Sequence, residues 1–239
     1  MEIESTKNKE LIRVASMGYD NNADKFPSIF DQVPAPLEKS NFFYIISGKP
    51  GSGKTSLLMQ MIAGKKNKVY NRLFDNVYMF SPSTATIDIP LPRNRLFTGL
   101  DMVELTKILS GIPKGTHNLF IFDDLASELR KNEKVFLKLI LNRRHLSGSG
   151  GSLSIIITTQ KYNLVSLAYR NAASSLILFD MNRKESKIVF DEVVSEFDTF
   201  QQWQAMLEGV YNQKHTFLLV RVTAERSHRY FRNFDRIIL

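Results

Sequence analysis

Gly48-Lys49-Pro50-Gly51-Ser52-Gly53-Lys54-Thr55 lies between an apolar run and a stretch of helical periodicity. Phe42-Phe43-Tyr44-Ile45-Ile46 ahead of it reads as a buried strand. Leu57, Leu58, Met61 and Ile62 behind it share one face of a helix. The octapeptide satisfies G-x-x-x-x-G-K-S/T, a pattern that carries its chemistry only in this strand–turn–helix setting. Backbone N–H groups of such a turn converge on phosphate oxygens, and a helix N-terminus favours negative charge. Lys54 is placed to reach β- and γ-phosphate oxygens, Thr55 to hold Mg²⁺, and Gly48 through Ser56 to form the cradle. The chain is expected to bind a nucleoside triphosphate with Mg²⁺.

The 239 residues are 43% hydrophobic and 23% charged, enough for one sizeable core and against wholesale disorder. A net charge of +8 favours a polyanionic partner. Cysteine is absent, which excludes disulfides and thiolate-bound metals, and the four histidines lack zinc-ligand spacing. No apolar stretch reaches membrane-spanning length, and Met-Glu-Ile-Glu-Ser is not a secretory signal. A soluble, intracellular protein is the expectation.

Residues 1–40 read as a partly irregular arm. Asp20-Asn21-Asn22 signals a turn, Pro27, Pro34 and Pro36 interrupt regular structure, and Phe26, Ile29 and Phe30 offer docking groups. Residues 41–239 read as one domain. Strands are expected at Val77–Phe80, Leu119–Phe122, Ile155–Ile157, Leu176–Phe179 and Thr216–Val222. Asp101 is expected to cap a helix carrying Val103, Leu105, Ile108 and Leu109. Val135, Phe136, Leu139 and Ile140 mark the apolar face of another helix, and a long helix is expected from Asp191 to Leu207 with Val194, Phe197, Trp203 and Leu207 inward. Continuous apolar strands alternating with helices predict an α/β fold: a RecA-like phosphate-loop NTPase whose mostly parallel sheet has helices on both faces.

Leu119-Phe120-Ile121-Phe122-Asp123-Asp124 is an apolar strand ending in two carboxylates, the form a Walker B motif takes. Asp123 is expected to fix Mg²⁺, and Asp124 to orient or deprotonate the attacking water. The strand Ser154-Ile155-Ile156-Ile157-Thr158-Thr159-Gln160 follows by one crossover and is expected to lay Gln160 or Thr159 against that water. Arg143, Arg144 and Arg170 are candidates for an arginine supplied to a neighbouring subunit's γ-phosphate. Arg143 and Arg144 also suit the C-terminus of their own helix, expected near the catalytic edge, and Arg170 also suits a cap. Lys131, Lys134 and Lys138 fall on one helix face, fit either for a phosphate backbone or for solvent. Arg221, Arg226, His228, Arg229, Arg232 and Arg236 interleave with Tyr230, Phe231 and Phe234, which suits nucleic acid or a docked terminus.

Gly48–Thr55, Phe122-Asp123-Asp124, Asn142-Arg143-Arg144-His145, Ile157-Thr158-Thr159-Gln160 and Arg170-Asn171 together resemble the genome-packaging ATPases of poxviruses, giant DNA viruses and virophages, in the FtsK–HerA superfamily. The resemblance covers roughly Asn41 to the C-terminus. It implies ATP hydrolysis coupled to double-stranded DNA translocation into a capsid without sequence preference. It also implies a homo-oligomeric ring, contact with capsid proteins, and a location in the host cytoplasm or at a viral assembly site. Two other readings stay open: a nucleoside-type small-molecule kinase using Arg143 and Arg144 as a lid, and a nucleotide-dependent switch. Asn182-Arg183-Lys184-Glu185 does not fit the guanine-reading element of such switches.

Overall fold

The computed structural model describes residues 33–63, 70, 73–85 and 89–239. The expected docking groups Phe26, Ile29 and Phe30, with Asp20-Asn21-Asn22 and Pro27, lie outside the described residues. In chain order the strands are β1 (Phe43–Ser47), β2 (Asn76–Phe80), β3 (Leu96–Phe97), β4 (His117–Asp123), β5 (Ser152–Thr159), β6 (Ser175–Phe179), β7 (Phe217–Arg221), β8 (Tyr230–Arg232) and β9 (Asp235–Arg236). The α-helices are α1 (Lys54–Ala63), α2 (Met102–Ser110), α3 (Ala126–Lys131), α4 (Glu133–Leu146), α5 (Leu167–Ala172), α6 (Arg183–Val193) and α7 (Phe200–Val210).

Among the described residues the strands form one sheet in the order β3-β2-β4-β5-β1-β6-β7-β8-β9. Pairing is parallel from β3 through β6 and antiparallel from β6 through β9. The central strands read as unbroken apolar runs because both faces are covered. Alternation divides them cleanly. Phe43, Ile45, Phe120, Phe122, Ile155 and Ile157 enter one core, which α2 through α7 complete with Leu105, Phe136, Val189 and Trp203. Phe42, Tyr44, Ile46, Leu119, Ile121 and Ile156 enter the other, covered by Leu58, Met61 and Ile62 of α1. Helices therefore lie on both faces, but among the described residues only α1 lies on the second. Each large apolar side chain buried this way contributes about 1.5–3 kcal/mol.

The end of the expected arm is docked. Val33 and Leu37 are buried in the second core. The Glu38 N–H donates to Tyr44 Oη at 2.7 Å, Tyr70 Oη donates to the Glu38 carbonyl at 2.7 Å, and Ser175 Oγ donates to Glu38 Oε1 at 2.6 Å.

Three expectations are corrected. The long helix from Asp191 to Leu207 is two helices, α6 and α7. Thr199 begins the second through a reciprocal capping box with Gln202, which ends helical continuity between Val194 and Thr199. Trp203 and Leu207 still point inward. Lys131 and Lys134 do not share a helix: Asn132 separates α3 from α4, its amide donating back to the Glu128 carbonyl at 3.0 Å. Val135, expected inward beside Phe136, is 56% exposed, as is Val103 of α2 at 79%. Asp101 does cap α2, accepting from the Val103 N–H at 2.8 Å. No helix among the described residues is long and apolar enough to cross a membrane.

Candidate active site

The carboxyl ends of β1, β4 and β5 meet at one edge of the sheet. Register places Ser47 opposite Thr159 and Asp123 opposite Thr158. The loop leaving β1 is held to β5 by the Gly48 N–H donating to the Thr159 carbonyl at 3.2 Å. A Cβ at Gly48 would stand 2.6 Å from Phe179 Cβ and 2.7 Å from Ser52 Oγ, so the backbone passes where a side chain has no room. Gly53, at φ 107, turns the chain into α1. Lys54 Nζ folds across the loop and donates to the Gly48 carbonyl at 2.6 Å and the Lys49 carbonyl at 3.1 Å. Burial pulls its pKa down, against the attraction of Asp124 and then Asp123. Both carboxylates thus act electrostatically on the loop lysine. Ser52 Oγ is buried with no hydrogen-bond partner among the described residues. A phosphate oxygen would satisfy it.

Asp123 ends β4 almost fully buried, and both its oxygens accept hydroxyls: Ser81 Oγ at 2.8 Å and Thr158 Oγ1 at 2.5 Å. A carboxylate keeps further lone pairs after two such bonds, so capacity for a cation remains. Thr158 Oγ1 also accepts from the Asp124 N–H at 3.1 Å. Asp124 itself turns outward at φ 56, exposed, and its Oδ2 accepts from Gln160 Nε2 at 2.7 Å. The expected pair of acid and sensor is therefore in direct contact. Ser81, which sequence reading places in a turn, orients Asp123. The available signal was a polar residue ending an apolar strand; that this strand lies beside β4 follows from the fold. Phe80, Phe122 and Phe136 pack at centroid distances of 5.1 and 4.8 Å beneath this strand end and fix its position.

Mg²⁺ prefers hard oxygens, one or two carboxylates supplemented by phosphate and water. Thr55 and Asp123 supply such oxygens. No group of three or more His, Cys, Asp or Glu side chains suited to a metal occurs among the described residues.

The DNA-packaging ATPase B204 of Sulfolobus turreted icosahedral virus has a similar structure, with a TM-score of 0.52 at 14% identity over 83% of this chain and 99% of that one. So does the genome-packaging NTPase B204 of Sulfolobus turreted icosahedral virus 2 in complex with AMPPCP, with a TM-score of 0.51 at 12% identity over 82% and 99%. The fold is that of a RecA-like phosphate-loop ATPase. The cytoplasmic domain of the type VII secretion ATPase EccC from Thermomonospora curvata shares it, with a TM-score of 0.51 at 13% identity over 82% of this chain and 24% of that one. No family model matches the chain, and no curated protein does.

In this phosphate-loop ATPase fold each crossover helix leaves one strand's carboxyl end and returns to the next strand's start. That corrects the expected place of Arg143 and Arg144. They end α4 at the edge opposite the catalytic one. Arg143 is buried, donating through Nε to the Asn41 carbonyl at 2.7 Å and through Nη1 to the Ile140 carbonyl at 2.8 Å. Burial pushes its pKa down to about 10, helped by Arg144. Arg144 is exposed on the next position. Arg170 is held bidentately by Glu192 at 2.9 and 2.5 Å and does not cap its own helix end; its Nη1 donates to the Val165 carbonyl at 2.6 Å. Arg143→Ala is expected to lower stability by about 1–3 kcal/mol, because the buried Ile140 carbonyl and the half-buried Asn41 carbonyl each lose a guanidinium hydrogen bond. Thermal melting reads that loss, while hydrolysis per folded molecule should persist. Lost hydrolysis at unchanged stability would instead give Arg143 a catalytic role.

The basic C-terminal segment forms β8 and β9. Tyr230 and Phe231 are buried, Arg229 Nη1 donates to Glu196 Oε1 at 2.7 Å, and Arg232 Nη2 to Asn212 Oδ1 at 2.6 Å. Lys131, Lys134 and Lys138 are all exposed, across the α3–α4 junction.

Proposed function

We propose that this chain is a Mg²⁺-dependent ATP hydrolase that drives double-stranded DNA into a viral capsid. The observation that carries the reading is the cluster along one sheet edge: the Lys54 loop on β1, Asp123 and Asp124 on β4, and Gln160 after β5. Gly48 through Ser56 hold the phosphates, and Lys54 leaves its two carbonyl partners for the β/γ oxygens. Thr55 and Asp123 would hold Mg²⁺, which neutralises phosphate charge when bound. Asp124 accepts the proton of the attacking water as the bond to the γ-phosphorus forms and the bridging bond to the β-phosphate breaks. Gln160, already bonded to Asp124, positions that water and registers loss of the γ-phosphate. Charge of +8 and the exposed lysines at the α3–α4 junction favour contact with DNA phosphates independent of base sequence.

The working state in this reading is a homo-oligomeric ring that docks on capsid proteins at the site of assembly. Arg144 remains the exposed candidate among the three arginines for reaching a neighbour's nucleotide. The kinase reading loses its lid, since Arg143 and Arg144 lie away from the catalytic edge.

Double-stranded DNA of unrelated sequences should stimulate ATP hydrolysis by the purified protein, and raising salt should remove the effect. Replacing Lys131, Lys134 and Lys138 together by alanine should reduce the slope of log affinity against log salt by about 2–3, close to 0.9 for each phosphate no longer neutralised. Hydrolysis indifferent to DNA at low salt would refute the motor, and phosphoryl transfer to a nucleoside would favour the kinase.

A further inference from the structure

The phosphate loop is flanked by a cavity of about 660 Å³ on the side away from Asp123. One wall is the start of α1, including Gln60. The other is the open end of the β7–β8 pair, with His215 and Phe217 leading into β7 and Asn233 and Phe234 in the turn that leaves β8. Sheet order gives this position meaning. β4 lies two strands from β1 on one side, and β7 lies two strands away on the other. A nucleotide whose γ-phosphate faces Asp124 and whose chain crosses the loop carries its nucleoside toward this pair.

The cavity has the chemistry of a base site. Phe234 packs edge-on to Phe217 at 5.3 Å, and Phe217 lies 5.5 Å from Phe179, giving an aromatic wall. Asn233 is locked in a left-handed turn at φ 55. Its backbone N–H donates to the Phe217 carbonyl at 2.8 Å, and its Oδ1 accepts from the Phe217 N–H at 3.1 Å. The side-chain oxygen is thus engaged, and the NH₂ is the end left for a ligand. His215 Nδ1 lies 3.1 Å from the Ser52 carbonyl, which can only accept. The proton must therefore sit on Nδ1, the tautomer in which Nε2 is the acceptor turned to a ligand.

We infer that this cavity binds the purine of the nucleotide and selects adenine, resting on the reading of Gly48–Thr55 as a phosphate loop. One donor, one acceptor and an aromatic wall match the adenine edge that carries the N7 acceptor beside the N6 amine. Guanine presents two acceptors there, N7 and O6, and leaves His215 Nε2 facing an oxygen.

The test is equilibrium binding of β,γ-methylene analogues of ATP and GTP and of inorganic tripolyphosphate, each with Mg²⁺. The wild-type protein should bind the ATP analogue more tightly than either competitor. Phe234→Ala should weaken it about tenfold, the scale of one base–aromatic stack, and leave tripolyphosphate affinity unchanged. Asn233→Asp keeps the turn and the acceptor for Phe217 but removes the donor, and should act likewise. Asparagine tolerates the left-handed backbone that His215 adopts at φ 64, and His215→Asn should narrow the ATP-to-GTP preference. Unchanged ATP affinity in Phe234→Ala and Asn233→Asp, with tripolyphosphate bound normally, overturns the base site alone. Failure of the wild-type protein to bind either the ATP analogue or tripolyphosphate overturns the phosphate-loop reading beneath it.

Discussion

Asp124→Asn is expected to bind Mg·ATP as the parent does and to hydrolyse it about 10²–10⁴-fold more slowly, the range a positioned general base contributes. The substitution is close to isosteric. Asparagine tolerates the left-handed backbone that Asp124 adopts at φ 56, and its amide oxygen can still accept from Gln160 Nε2. The hydroxyl bonds of Ser81 and Thr158 go to Asp123 and stay in place. What disappears is the proton acceptor exposed at the loop edge. Phosphate release and binding of a non-hydrolysable analogue, measured side by side, separate the two properties. Release at the parent rate removes Asp124 from the chemistry and shifts the base to a group not yet assigned. Asp124→Glu restores a carboxylate on a longer stem and should recover part of the rate.

Lys54→Ala should lower turnover by at least about 10²–10³-fold, the cost of removing one preorganised charge-stabilising donor, and should weaken nucleotide binding as well. The fold should tolerate the change. Lys54 Nζ is satisfied by the carbonyls of Gly48 and Lys49 on a loop open to water, and water can replace it there. Asp123 and Asp124 then face the loop with less positive charge, which raises repulsion against a triphosphate. A thermal midpoint near the parent value, combined with abolished phosphate release, is the expected pattern. Turnover at the parent rate would show that Gly48–Thr55 is a structural turn, and both the proposed function and the purine site would go with it.

Much of the site was legible because its parts are local. An apolar run buried on both faces looks the same wherever its strand lies in the sheet, so β1, β4, β5 and β6 could be read directly. The phosphate loop and the Asp123-Asp124 strand end carry their geometry in a few consecutive residues. The break between α6 and α7 had a local signature too, Thr199 with Gln202, but the apolar spacing of Phe197, Trp203 and Leu207 outweighed it. The same happened at Asn132, where Lys131, Lys134 and Lys138 keep helical spacing across an interruption.

What the sequence by itself determined is the strand–loop–helix cradle, the acidic strand end and an alternating α/β chain, since each follows from backbone preference and hydrophobic period within one segment. Only the tertiary structure decided which distant groups meet. Ser81 reaches Asp123 because β2 pairs with β4, and Gln160 reaches Asp124 because β5 lies beside it. Arg143 and Arg144 fall at the far edge because a crossover helix must return to the next strand's start. His215, Asn233 and Phe234 come to the phosphate loop because β6 lies beside β1 and β7 and β8 follow it antiparallel, which returns the start of β7 and the end of β8 to the edge that carries the loop. Strand order is set by the packing of the whole sheet, and no single segment encodes it.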